Sequence, residues 1–458
     1  MIGQDLNRRR FLWTAGLGSV SLAVARNLAA RRLQNTDDVQ GIAEDAYVWG
    51  YPLLLMKDYF ELASTQKHEV NRFLLSTRLS TADDRVAIGP NVDTLYGFGW
   101  LDLSDGPQIL HVPDTAGRYY SIQLIDSYAN VFTYVGRRVT GTKEAEHAIV
   151  APGWHGALPS GVKRIDAPTK HVLALTRTLV SGNADLPAAQ AVQSQYTLRA
   201  LRDDSKSALP PLTAATSALN VFPILKLADR GPVFFDDLGV ELVATPPPAE
   251  DRGTLDQFAR AGIGPNRRPS QGVDQRTLAS LDEAVKHGDE RIRNATYSTQ
   301  VNGWSVNYKI TNFIKDPLLR ASVNRLGPGG HVAQEALYFF ARTGPDGKPL
   351  NGANRYRLRF PSGQLPPVDA FWSLIMYGSD FFLVKNPINR YSIGDRTEGL
   401  VYGADGSLEI NIAHESGEAV AANWLPAPEG AFQLILRTYQ PKPALFNGEY
   451  QPPALQNS

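Results

Sequence analysis

The sequence predicts a mainly β protein with a helical insert: two β-sandwich or jelly-roll-like domains bridged by a helical zone. Three observations carry this. Short runs rich in β-formers recur toward both ends of the chain, separated by turn signals about every eight to twelve residues. The middle of the chain switches to helical spacing and then back. The 39 glycines and 31 prolines supply many chain reversals.

Residues 1–30 read as a twin-arginine signal peptide. Arg8 and Arg9 precede a short stretch, from Phe11 to Ala25, of apolar, small and hydroxylated residues, and Ala23-Val24-Ala25 and Leu28-Ala29-Ala30 both offer small residues for cleavage. That stretch is shorter than the roughly 20 residues a spanning helix needs. The expected partner is therefore the twin-arginine export machinery, the expected location periplasmic or extracellular, and no transmembrane segment is expected.

Residues 31–185 read as an N-terminal helix followed by a β-rich domain. Ile42, Ala46 and Trp49 recur at helical spacing until Pro52 breaks or kinks the pattern. From Phe73 onward strand patterns take over, as in Arg118-Tyr119-Tyr120-Ser121-Ile122-Gln123-Leu124-Ile125. Residues 186–296 read as the helical bridge, with Pro187 opening one helix and an amphipathic helix from Asp274 to Asn294 whose apolar stripe is Leu278, Leu281 and Val285. Residues 297–458 return to strands. Tyr356, Leu358 and Phe360 alternate with arginines, and Asp405-Gly406 marks a hairpin.

The full chain carries 46 basic and 46 acidic residues. Removal of a signal ending near Ala30 takes away four arginines and one aspartate, leaving the mature chain slightly acidic. No basic stripe suggests nucleic acid as a partner. There is no cysteine, so disulfides, cysteine-ligated metals and iron–sulfur clusters are excluded. Calcium or magnesium on carboxylate and carbonyl oxygens stays open, and no specific metal ligands stand out. His147 and His155 are the closest histidine pair, read as surface loop residues rather than metal ligands. Nucleophile-elbow, phosphate-loop, dinucleotide and zinc-helix signatures are absent.

What stands out is polar and aromatic residues set in strand-and-turn segments. In the first β zone these are Asn91, Asp93, Tyr96, Asp102, Arg118, Tyr119, Asp126, Tyr128, Arg137 and Arg138. In the second they are Trp372, Tyr377, Asn386, Arg390, Tyr391, Asn423, Trp424, Arg437 and Tyr439. Pro90-Asn91-Val92-Asp93-Thr94-Leu95-Tyr96, Leu101-Asp102-Leu103-Ser104 and Arg118-Tyr119-Tyr120 with Asp126 resemble domain-of-unknown-function family 1254. Asp369-Ala370-Phe371-Trp372-Ser373-Leu374, Asn386-Pro387, Asp405-Gly406-Ser407-Leu408 and Asn423-Trp424-Leu425-Pro426-Ala427-Pro428 resemble its usual C-terminal companion, family 1214. The resemblance covers about Gly41 to Asp185 and Gly344 to Pro453. It implies β-rich tandem domains and frequent export, and it implies no particular reaction.

The residues themselves admit two readings each. Asn91 and Asp93 either cap a strand entrance as an Asx-turn or face a cleft beside Tyr96. Asp126 and Tyr128 share a strand face, and Asp126 with Arg118 or Arg137 is either a buried ion pair or part of an anion site. Trp372 reads as core. Trp424, read as a loop residue, either packs or stacks on a flat ligand, and Arg390 either clamps an anion or makes a surface pair. Asp93, Asp126 and Tyr96 are thus the candidate catalytic set, with Asn91, Arg118, Tyr128, Arg137, Arg390 and Trp424 as candidate ligand contacts. Three functions compete for an exported soluble protein, and export in the folded state leans to the first: an enzyme using paired carboxylates for acid–base chemistry on a polyhydroxylated or anionic small molecule or glycan, with a non-catalytic ligand-binding protein or an envelope assembly or interaction protein as the alternatives. Oligomeric state is left open, a homo-oligomer included.

Overall fold

Local pattern decides the strands. In Tyr356–Phe360 the three apolar residues are buried and Arg357 and Arg359 are exposed, the period-two signature of a half-buried strand. The strands at the centre of the molecule read differently. Phe432–Pro441 is buried at every position, so both of its faces are covered. The computed structural model describes residues 38–65, 70–85, 88–202, 209–215, 222–325 and 327–458. The expected signal at residues 1–30 lies outside the described residues. Among them no helix is long and apolar enough to cross a membrane.

The chain divides into two compact units. The smaller takes the residues up to Leu54 together with Lys226–Asn294. Its helices are Val233–Ala244, Arg252–Ala259, Gln275–Asn294 and the first part of a helix over residues 38–65. That last helix continues through Pro52 without a break. Burial of Trp49, Tyr51, Leu53, Leu54 and Leu55 around this turn outweighs a proline cost of about 3 kcal/mol. The helix Gln275–Asn294 buries Leu281, Ala284, Val285, Gly288 and Ile292, whereas Leu278 stays 38% exposed and so falls outside the expected stripe. Gly288 has a packing reason: a Cβ there would lie 2.6 Å from the Tyr47 ring.

The larger unit holds two β-sandwiches of the same plan, each a six-stranded sheet against a four-stranded one. In the first, the six-stranded order is Leu212–Ala214, Phe73–Ser76, Thr94–Asp102, His171–Leu179, Tyr120–Asp126, Val131–Gly136. Its four-stranded partner runs Lys163–Asp166, Ala145–Val150, Gln108–Val112, Thr197–Ala200. Strand structure thus continues past Asp185, because Thr197–Ala200 and Leu212–Ala214 supply edge strands. In the second sandwich the six-stranded order is Thr299–Val301, Trp304–Val306, Ala336–Ala341, Phe432–Pro441, Val368–Gly378, Ser392–Gly394. The four-stranded sheet is Trp424–Pro426, Leu408–Ala413, Tyr356–Phe360, Gln456–Asn457. Most ladders are antiparallel.

Each sandwich has its own core. Leu101, Ile122, Leu124 and Ala174 meet Leu110, Ile149 and Leu198 in the first. Leu337, Trp372, Leu374 and Leu436 meet Leu358, Leu408 and Ile410 in the second, with Trp372 in the core as expected. Alternation then turns the intervening residues to the outer faces of the six-stranded sheets. Those outer faces shape the site.

Candidate functional site

The outer faces of the two six-stranded sheets enclose a cavity of about 530 Å³. From the first sheet come Thr94, Tyr96, Phe98, Leu175 and Arg177, and from the second Tyr338, Phe340, Ile435 and Arg437. Ile310, Ile314 and Val323 add apolar wall from the segment before the Gly327–Gly330 turn. Most of the lining is apolar, and its polar groups converge on two guanidiniums.

Arg177 is only 4% exposed. It donates to Gln123 Oε1 at 2.9 Å and to the Gly329 carbonyl, and its Nε lies 3.4 Å from the Tyr96 hydroxyl. Gln123 also donates to the Gly330 carbonyl at 2.8 Å, which fixes the turn against the sheet. Gly329 sits at φ 115°, and a Cβ there would collide with the Leu175 side chain, so glycine lets this carbonyl approach. Arg437 is 7% exposed and donates through Nη2 to the Gly89 carbonyl and the Tyr377 hydroxyl, both at 2.8 Å. Its Nε has no hydrogen-bond partner. Among the described residues neither guanidinium makes an ion pair. A buried cation held only by neutral acceptors is costly.

Tyr96 faces both cations. It stands opposite Arg177 in the strand register, and the guanidinium lies 5.1 Å from its ring centroid. Burial works against ionising the phenol, yet Arg177 and Arg437 outweigh it and hold the group below the usual tyrosine range. Asn91 lies alongside, donating to the Tyr439 hydroxyl at 2.5 Å and accepting from the Asp93 amide at 2.6 Å. That second bond is the expected Asx-type turn.

Of the residues singled out in the sequence, Asn91, Tyr96 and Arg437 line the cavity, and Asp93, Asp126, Tyr128, Arg118, Arg137, Arg390 and Trp424 do not. Asp93 is buried and closed: Oδ2 accepts from Ser373 Oγ at 2.6 Å and Oδ1 pairs with Arg396 at 2.7 Å, tying one sandwich to the other. Asp126 pairs with neither Arg118 nor Arg137. Its Oδ1 accepts the backbone N–H groups of Tyr128 and Asn130, both at 2.9 Å, within its own turn. Burial raises its carboxyl to about 6 despite the Asn130 hydrogen bond and the field of Arg320. Tyr128 is buried beside this turn. Arg118 is held by Asp185 in a two-pronged pair at 2.5 and 2.7 Å, and Arg137 donates to Gln440 at 2.5 Å and to the Asp369 carbonyl at 2.8 Å.

In the second sandwich Arg390 is taken up by the carbonyls of Ala421 and Trp424, which leaves little of it for an anion. Trp424 is not an exposed loop residue. It opens the strand Trp424–Pro426, is 9% exposed, and donates its indole N–H to the Ala413 carbonyl at 2.9 Å. His147 is likewise not a surface residue but lies buried in Ala145–Val150, where burial pushes it down to about 4. Among the described residues no group of three or more His, Cys, Asp or Glu is arranged to hold a metal ion. Arg177 is the cavity residue that sequence reading missed. Its signal is a lone cation in the otherwise uncharged run Val172-Leu173-Ala174-Leu175-Thr176-Arg177, matched by Arg437 after Leu434-Ile435-Leu436.

Comparison with known proteins agrees with this two-part layout. No curated relative matches the chain. The VPA0106 protein from Vibrio parahaemolyticus, known from a crystal structure, is similar over 92% of this chain and 100% of its own, at 25% identity and a TM-score of 0.70. An uncharacterized protein from Burkholderia cenocepacia aligns over 94% of this chain and 97% of its own, at 11% identity and a TM-score of 0.44. Residues 70–200 match the family described as protein of unknown function (DUF1254), and residues 335–443 match the one described as protein of unknown function (DUF1214).

Proposed function

We propose that this is an exported protein that binds a small organic anion, its charged head between Arg177 and Arg437 and its apolar body against Phe98, Leu175, Phe340 and Ile435. The observation that carries the reading is the pair of buried guanidiniums facing one cavity without a carboxylate partner. An anionic ligand would supply the missing charge through charge-assisted hydrogen bonds, and the apolar walls would bury the rest of it. Paired-carboxylate acid–base chemistry is not part of this reading, because neither Asp93 nor Asp126 lines the cavity.

The test is a thermal-shift and calorimetric series on the purified mature protein with benzoate, hexanoate, their neutral amides, glucuronate, calcium and magnesium. Benzoate or hexanoate is expected to stabilise the fold by about 2.7 kcal/mol at a hundred times its dissociation constant, and the amides are expected to do nothing. Equal binding of the amides, or silence from every acid, would overturn the reading. Export rests on Arg8 and Arg9. Replacing both by lysine keeps the charge and is expected to leave the protein in the cytoplasm; normal delivery of that variant in cell fractionation would remove the export part.

A further inference from the structure

The cavity poses a question of charge. Arg177 and Arg437 are buried on facing sheets, and the carboxylate in the cavity lining, Asp84, is taken by Arg78, as Asp93 is by Arg396 and Glu335 by Arg138 in the seam. The acidic groups that reach the two cations are phenols: Tyr96 from the first sheet, and Tyr338, Tyr377 and Tyr439 from the second. Tyr96 and Tyr338 are placed alike, each in register with one arginine and under its guanidinium in the cavity wall, Tyr96 with Arg177 and Tyr338 with Arg437. Tyr96 differs in its oxygen, which accepts from Arg177 Nε at 3.4 Å.

Resting on the anion-binding reading, we propose that Tyr96 is the proton-exchanging counter-ion of this cavity: above its ionisation step the phenolate offsets one of the two cations, Arg177 and Arg437, and it takes a proton when an anionic head group arrives. The proton comes from solvent or from the ligand's own acid form, the O–H bond forms on Tyr96, and the anion takes over the guanidinium N–H groups. Like charges close together oppose each other, which gives the direction of the exchange. The neighbouring phenols contrast with Tyr96. Burial pushes Tyr338 and Tyr439 up and Tyr377 up to about 12, in each case against the pull of Arg437. His331, also facing this cluster, is kept neutral first by burial and then by the same arginines.

Ultraviolet difference titration of the mature protein tests this without a ligand. One tyrosine is expected to ionise below the ordinary value of about 10, and Tyr96→Phe, which keeps the ring, is expected to lose that one step. In Arg437→Gln the step is expected to move upward, which guards against a variant that merely misfolds. Calorimetry with benzoate above the step, in two buffers of different ionisation enthalpy, is expected to show wild type taking up as much as about one proton per ligand and Tyr96→Phe none. Identical titration curves for wild type and Tyr96→Phe, or benzoate binding without proton uptake, would overturn the proposal. Absence of benzoate binding with the low step intact would instead overturn the binding reading and leave the phenolate standing.

Discussion

The seam between the two sandwiches carries charge in two ways. At Asp93–Arg396 and Glu335–Arg138 each buried carboxylate meets a guanidinium, at 2.7 and 2.6 Å, and Arg396 also holds Asp395 at 3.0 Å. At the cavity, in the same seam, Arg177 and Arg437 meet only carbonyls, an amide and phenols. The closed pairs hold one sandwich to the other, and the open cations leave charge for something from outside. Burial of the cation also differs, since Arg396 and Arg138 are 19% and 31% exposed against 4% and 7% for Arg177 and Arg437, while the carboxylates Asp93 and Glu335 are buried.

The largest expected effect comes from breaking a closed pair. Asp93→Ala takes one carboxylate from Arg396, which is half-buried 4.1 Å from the Phe371 ring centroid and keeps Asp395, and it also takes the acceptor of Ser373 Oγ. A loss of about 2–3 kcal/mol is expected, measured by denaturant unfolding near neutral pH. A loss below about 1 kcal/mol would mean that the pair behaves as a surface salt bridge and that the contrast with the cavity is weaker than drawn.

A second carboxylate sharpens the comparison because it is buried without a cation bonded to it. Asp126 leans on the amides of its own turn, and its carboxyl is raised from 3.8 to about 6, chiefly by burial. A raised folded-state value stabilises the fold at acid pH. That stability is complete below about 4 and is lost as pH rises through about 6, an effect of about 3 kcal/mol at most. Asp126→Asn keeps one oxygen to accept the two N–H groups and cannot ionise. It is expected to flatten the pH profile in that window and to match or exceed wild type at neutral pH. A variant less stable than wild type at neutral pH would show that the negative charge is needed, with Arg320 as the group that needs it.

Much of the fold was legible in the sequence. Alternation at Tyr356–Phe360 reads directly because one face is wet, and the family resemblance placed both β regions. The central strands hid their logic because both faces are buried, so period two disappears into runs such as Leu434-Ile435-Leu436. The site was legible in part for the same reason. Tyr96 and Asn91 stood out beside turn signals, whereas Arg177 lies inside a strand that looks like core. Asp126 and Trp424 misled because a polar or aromatic residue next to a turn looks the same whether it faces a ligand or a backbone amide. Which of these holds is decided by long-range pairing, and one sequence does not carry that.

The smallest expected change in stability tests the open side of the comparison. Arg437→Met keeps a long apolar stem and removes the cation. It gives up the bonds to Gly89 and Tyr377, and it also removes a charge that no carboxylate balances. Tyr377 keeps a partner, since its hydroxyl donates to the Pro90 carbonyl at 2.7 Å. Two lost neutral-acceptor bonds and one relieved desolvation penalty oppose each other, so the ligand-free stability is expected to shift by no more than about 1 kcal/mol. Stabilisation by benzoate is expected to vanish in the same variant. If instead Arg437→Met unfolds as readily as Asp93→Ala, Arg437 is a strut like Arg396, and the division between closed pairs and open cations fails at the residue chosen to represent it.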